Sequence, residues 1–160
     1  MSRIAIATLL VTLLTGCNAL SPISALTKLD LTLAAGERLN PDLHGRPSPV
    51  VVRLIELRHP VAFEHSDFFS LYERAEQVLP KDWVSSEELA LHPGERRLLK
   101  LSVAPQSRYV GVLAAYRDLP HVQWRWVVPL AQERRTQVDL VLDEMGVRQV
   151  GAGEDGHAGG

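Results

Sequence analysis

The chain has 160 residues, with 17 Lys and Arg against 19 Asp and Glu and a formal net charge of −2. Both signs are interspersed, which excludes the basic footprint of a nucleic-acid-binding domain. The single cysteine excludes an intrachain disulfide, so burial must stabilise the fold, and the length allows one domain with a core of its own.

The N-terminus begins Met1-Ser2-Arg3, one positive charge, and continues as an uncharged run from Ile4 to Leu14, IAIATLLVTLL. A spanning helix needs about twenty apolar residues, so this run is too short to cross a bilayer in a mature protein. Its layout is that of a secretory signal: basic, then apolar, then small residues at a cut site. The run ends in Leu14-Thr15-Gly16-Cys17, which resembles the bacterial lipobox. The resemblance implies that residues 1–16 are a lipoprotein signal peptide. It also implies that Cys17 is diacylglycerylated, becomes the new N-terminus and is acylated on its amine. The alternative is a buried free cysteine behind a conventional signal, but no A-x-A cut site follows the run. Two acyl chains suffice for stable anchoring, at about 0.8 kcal/mol per buried CH₂. Asn18, rather than Asp, follows the cysteine; by the sorting logic of such lipoproteins this implies the outer membrane. Residues 17–26 are then a lipidated tether, 27–150 a β-sandwich domain, and 151–160 a disordered tail with no aliphatic larger than Ala.

Alternation of apolar and polar residues dominates the domain. Leu29, Leu31 and Leu33 share a face, with Asp30 and Thr32 between them. After the breaker-rich stretch GERLNPDLHGRPSP comes Val50 to Leu57, apolar on both faces apart from Arg53 and Glu56, which predicts a strand covered on both sides. From Ser66 the period changes: Phe68, Leu71, Tyr72, Ala75 and Leu79 form an i, i+3, i+4, i+7 stripe. The stripe predicts an amphipathic helix, capped by Ser66, helped by Asp67 at its positive end and stopped by Pro80, with Phe69 off the buried face. A short strand around Glu88 to Leu91 is expected to turn at Pro93-Gly94 into RRLLKLSV, where Leu99, Leu101 and Val103 oppose Leu98, Lys100 and Ser102. Tyr109 to Tyr116 is a further strand. Val122, Trp124, Trp126 and Val128 share a face with Gln123 and Arg125 outward, and Thr136, Val138, Leu140 and Leu142 share another. Such runs between Pro, Gly and Asp signals predict an antiparallel β-sandwich with a helical insertion.

Catalytic constellations are poor. The histidines never occur as HxH or HxxxH, and there is no G-x-S-x-G elbow, no Gly-rich phosphate loop and no second thiol. His65-x-Asp67 is the nearest metal-like pair, but its place at a helix start favours capping. No catalytic residue, metal or cofactor is assigned, and no enzymatic activity is expected. Trp124 and Trp126 form either a ligand platform or, as same-face strand pairs more often do, part of the core. The loop from Gly36 to Pro49 is long for its strands, and long loops in compact domains tend to be functional. Its Leu39 and Leu43 have no periodic partner: they either tuck onto the sandwich edge or contact a partner.

Several stretches together resemble one family. LNPDLHGRPSPVVVRLIEL, HSDFFSLYE, LHPGE and YVGVLAAYRDL followed by WRW, in this order behind a lipobox, are similar to the TssJ family, outer-membrane lipoproteins of type VI secretion systems. The similarity runs from about residue 26 to 142. Gly45-Arg46-Pro47-Ser48-Pro49 leading into Val50 to Arg53, and Tyr116-Arg117-Asp118, are its most specific pieces. Ile55 and Glu56 stand where many members carry an aromatic and a Gln, and the glycine-rich tail is outside the pattern. The resemblance implies a transthyretin-like β-sandwich without enzymatic activity. It implies a lipid-anchored protein on the periplasmic face of the outer membrane, monomeric in isolation. Such a protein binds the periplasmic C-terminal region of the inner-membrane protein TssM and, through it, associates with TssL. The loop between the first two strands is the implied contact, here Leu39, Asn40, Asp42, Leu43, His44 and Arg46, with the loop lying outside the core. The alternative is a periplasmic module for a small ligand or peptidoglycan, for which an exposed aromatic cleft would speak.

Overall fold

The computed structural model describes residues 26–151. The expected signal peptide, Cys17, nearly all of the tether and all of the tail but Gly151 lie outside the described residues. The elements are β1 (Lys28–Ala35), β2 (Val50–Leu57), α1 (Val61–His65), α2 (Phe68–Val78), β3 (Trp83–Leu91), β4 (Arg96–Ser102), β5 (Tyr109–Ala114), β6 (Arg125–Pro129), β7 (Arg135–Asp143) and β8 (Gly146–Gln149). They form two four-stranded sheets, β4-β1-β7-β8 and β3-β2-β5-β6. The protein is mainly β, a sandwich with a small helical insertion, as the alternation predicts.

The core between the sheets follows from strand periodicity. Leu29, Leu31 and Leu33 of β1 and Val138, Leu140 and Leu142 of β7 face Val50, Val52 and Leu54 of β2 and Val110, Val112 and Ala114 of β5. The other face of the second sheet is covered by the helices. Ile55 and Leu113 there pack with Phe63, Phe68, Leu71, Ala75 and Leu79. Leu57, two residues on from Ile55, lies on that same helical side, and the pairing of β2 with β3 shifts register between Glu56 and Leu57. This double cover is why β2 reads as apolar on both faces. Gly111 leaves room for the insertion, since a Cβ there would lie 2.8 Å from the Phe63 ring.

Some details depart from the sequence reading. Asp67, not Ser66, caps α2: its carboxylate accepts from Ser70 N at 3.0 Å. Ser66 instead closes α1, its hydroxyl donating to Ala62 O at 2.7 Å. Strand β3 begins at Trp83 and is longer than expected. After the turn at Pro93-Gly94 the chain changes sheets, so β3 pairs with β2 and β4 with β1. The β1–β7 ladder runs parallel, the others antiparallel. Arg125 is not simply outward. It donates to the carbonyls of Phe63 (3.0 Å) and Ser66 (2.7 Å) and lies 4.4 Å from the Trp124 ring centre, tying the insertion to β6.

The strand directions define two ends. One holds the start of β1, the end of β2, the β4–β5 loop and the β6–β7 turn. The other holds the β1–β2 loop, the β5–β6 connection and the β7–β8 turn. At this second end the sheets are joined directly: Gln123 N donates to Met145 O (3.0 Å) and Val147 N to Gln123 O (2.7 Å). The junction needs a glycine, because Gly146 has φ +114° and a Cβ would sit 2.3 Å from Gln123 O.

Candidate functional site

The β1–β2 loop is built in two parts, a buried root and a projecting tip. At the root, Leu39 is fully buried in the core and Asn40 is nearly so. Leu39 N donates to Gly36 O (3.1 Å) and Ser48 N to Leu39 O (3.0 Å), which pins both arms of the loop together. Asn40 adopts φ +45°, a left-handed conformation that Asn tolerates better than most residues. Its amide donates to Pro49 O and its carbonyl accepts from Arg117 N, both at 2.9 Å. Both hydrogen-bonding functions of the side chain are thus used to join the loop to the β5–β6 connection. Leu39 and Asn40 therefore position the loop; in this conformation neither offers a side chain to a partner. The expectation that the loop lies wholly outside the core is corrected at its root.

The tip is organised by Asp42. Its Oδ1 accepts from His44 N (2.8 Å) and Arg46 N (3.0 Å), and its Oδ2 from Arg46 Nε (2.8 Å). The backbone closes the same turn through Asp42 N to Arg46 O and Gly45 N to Asp42 O, each 2.9 Å. Gly45 takes φ +76° with open space where a Cβ would be. The backbone N–H of Arg46 and then that of His44, with the Arg46 guanidinium, hold the Asp42 carboxyl below its usual range against partial desolvation. Leu43, at 103 % relative exposure, touches nothing, and His44 and Arg46 are also exposed. The tip is thus an apolar side chain on a turn whose shape is fixed by hydrogen bonds.

A cleft of about 620 Å³ lies beside the tip, between it and the β5–β6 connection. Asn40 to His44 form one wall; Tyr116, Arg117, Asp118 and His121 form the other, and Glu144 of the β7–β8 turn closes it. Asp118 Oδ1 lies 2.7 Å from His121 Nδ1, and Arg38 at the loop root pairs with Glu144. Tyr116 is buried, and desolvation, then the charge of Asp143, push its hydroxyl well above the ordinary tyrosine range. These second-wall residues carried no predicted role. Their signal in the sequence was the stretch Tyr116-Arg117-Asp118, polar directly after an apolar strand and among the most specific pieces of the family resemblance.

Among the described residues no three His, Cys, Asp or Glu side chains are grouped to hold a metal. Trp124 packs against both core and helices, T-shaped to Phe68 at 5.4 Å, and Trp126 packs against the core. Both tryptophans are half-buried and serve packing, and Trp126 also lines a small surface pocket with Glu64, Gln123 and Arg125. No described helix is long and apolar enough to cross a membrane.

The architecture and this end define a class: a two-sheet β module with a small helical insertion that presents a hydrogen-bonded loop at one end. A family model described as "Type VI secretion lipoprotein, VasD, EvfM, TssJ" matches residues 27–145, and the chain belongs to this family. The T6SS lipoprotein TssJ1 from Pseudomonas aeruginosa is 34% identical, with 78% of this chain and 95% of that chain covered at a TM-score of 0.76. Serratia marcescens Lip, a membrane-bound component of the type VI secretion system, is 27% identical over 79% of this chain and 99% of that chain, TM-score 0.73. A chain in a structure described as the T6SS protein TssM C-terminal domain (869–1107) from EAEC shares the fold. It is 20% identical, with 78% and 98% covered and a TM-score of 0.64. No curated protein matches the chain.

Proposed function

We propose that the chain is an outer-membrane lipoprotein, held on the periplasmic face through lipidated Cys17, that scaffolds the type VI secretion membrane complex. Its loop end docks the periplasmic C-terminal region of a TssM-like inner-membrane protein, and TssL is reached only through that partner. It has no chemistry of its own and is a monomer before assembly.

The observation that carries this reading is the loop tip. A fully exposed leucine is costly to leave in water, by about 1.5–3 kcal/mol relative to burial, and here it stands on a turn that is already ordered. Preorganisation removes part of the entropy that docking must otherwise overcome. Leu43 is the apolar anchor; His44 and Arg46 are its polar rim, with Asp42 as the brace that sets their positions. Leu39 and Asn40 act from beneath, by holding the root. The likeness to a chain about half as long as segment 869–1107, in a structure described by that TssM segment, supports the choice of partner.

A pull-down with the periplasmic C-terminal region of the cognate TssM-like protein tests the reading. The intact chain should be retained, and a Leu43→Asp variant should be lost from the complex. Equal retention of both would move the contact away from the tip.

A further inference from the structure

Charge is distributed unequally between the two ends of the sandwich. At the loop end the cations other than exposed Arg117 are matched: Arg38 with Glu144, Arg46 with Asp42 (2.8 Å), Arg97 with Glu95 (2.6 Å) and Arg148 with Asp143 (2.9 Å). The opposite end is knitted by main-chain hydrogen bonds. Lys28 N donates to Arg134 O (2.9 Å), Arg108 N to Leu57 O (2.8 Å), Leu130 N to Arg108 O (2.9 Å) and Arg58 N to Asp82 O (2.8 Å). They gather Lys28, Arg58, Lys81, Arg108 and Arg134 at one end. Among the described residues none of these five is in an ion pair. The acids nearby are fewer. Among the described residues Glu56 is taken by Ala104 N (2.9 Å) and Ser107 Oγ (2.6 Å), and Asp30 by Arg135 (3.0 Å), which leaves Asp82 and Glu133.

The same end carries the start of the described chain, exposed Leu26 and then Thr27, whose carbonyl accepts from Val103 N. From Cys17 to Leu26 a fully extended chain reaches at most about 30 Å. We infer that this basic end lies on the anionic phospholipid headgroups of the membrane that holds the Cys17 lipid. The inference rests on Cys17 being the anchor. Attraction of surface cations to anionic lipid fades within a Debye length of about 8–10 Å, so a slack tether alone would let the domain tumble beyond it. Seating the cations removes that freedom. The loop end is then directed away from the bilayer, farther out by the length of β1, about 26 Å.

The test uses the lipidated protein in vesicles of phosphatidylcholine, with or without phosphatidylglycerol, carrying a headgroup quencher. A fluorophore is placed at Gln106→Cys on the basic end or at Leu43→Cys on the tip, the native cysteine being blocked by lipid. With phosphatidylglycerol present, the label at position 106 should be quenched at least threefold more than that at 43. High salt should abolish the difference, and so should the pair Lys81→Glu with Arg134→Glu, two exposed side chains with no hydrogen bond of their own. Equal quenching at both positions in anionic vesicles, or a difference that survives salt and charge reversal, overturns the inference while leaving the anchor intact. Failure of the protein to float with any vesicle overturns the anchor reading and this inference with it.

Discussion

Leu39 is fully buried and Leu43, in the same loop, fully exposed, so in the proposed function the first serves stability and the second recognition. Leu39→Ala should destabilise the domain by about 2–5 kcal/mol, as buried leucines do when a cavity is left. Leu43→Ala should stay within about 0.5 kcal/mol, the usual surface range. Paired denaturant titrations distinguish them, and equal effects would contradict the root-and-tip division. The sequence showed both leucines as lacking a periodic partner but not which one was buried. A loop has no repeat, and the facing of each side chain depends on Asn40 at positive φ and on its bonds to Pro49 and Arg117, contacts distant in sequence. Glu95 gives a pH-dependent prediction at the same scale. The N–H of His92, then the Arg97 guanidinium and the His92 ring, lower its pKa from 4.5 to about 2. A lowered folded-state pKa stabilises above the unfolded value and is lost as pH falls through the folded one. Glu95→Gln should therefore reduce the dependence of the melting temperature on pH between 4.5 and about 2. An unchanged acid limb would show that the carboxylate is not held as described.

Helix α2 was the most legible element, because its apolar stripe runs through several turns and Pro80 marks its limit. Phe68, Leu71 and Ala75 are buried as the stripe predicts, and Phe69 is exposed. Asp67→Ala should cost about 1 kcal/mol through loss of the cap, whereas Ser66→Ala removes only a bond to Ala62 O and should cost less. Leu71→Ala, at a fully buried position, should cost about 2–5 kcal/mol. A Ser66 effect larger than that of Asp67 in thermal melts would reverse the assignment of the cap. Strands β1, β4 and β7 were visible as alternation and β2 as a run apolar on both faces. Helix α1 and strand β8 were not, since Val61–His65 and Gly146–Gln149 are too short to display a period. Nor could the pattern show that β1 and β7 pair in parallel: facing is encoded locally, whereas strand partnership is a property of the whole chain.

Across the molecule, the proposed function gives the two ends of the sandwich different tasks. The end that begins at Leu26 leads back toward Cys17, and the end that carries Leu43 lies across the full length of β1. Cys17→Ser should abolish lipid labelling and release the protein from the membrane fraction without altering the melting of the domain. Retention of the variant in membranes would contradict the anchor. Docking of TssM by the loop tip is best decided by titration calorimetry of the TssM periplasmic region into the unlipidated domain. The comparison is between the native tip and one in which residues 42–46 are replaced by a Gly/Ser turn, leaving Leu39 and Asn40 to hold the root. Replacement should leave the melting temperature nearly unchanged and weaken binding at least tenfold, about 1.4 kcal/mol. Full-strength binding by the replaced tip would contradict tip docking and place the interface on another surface.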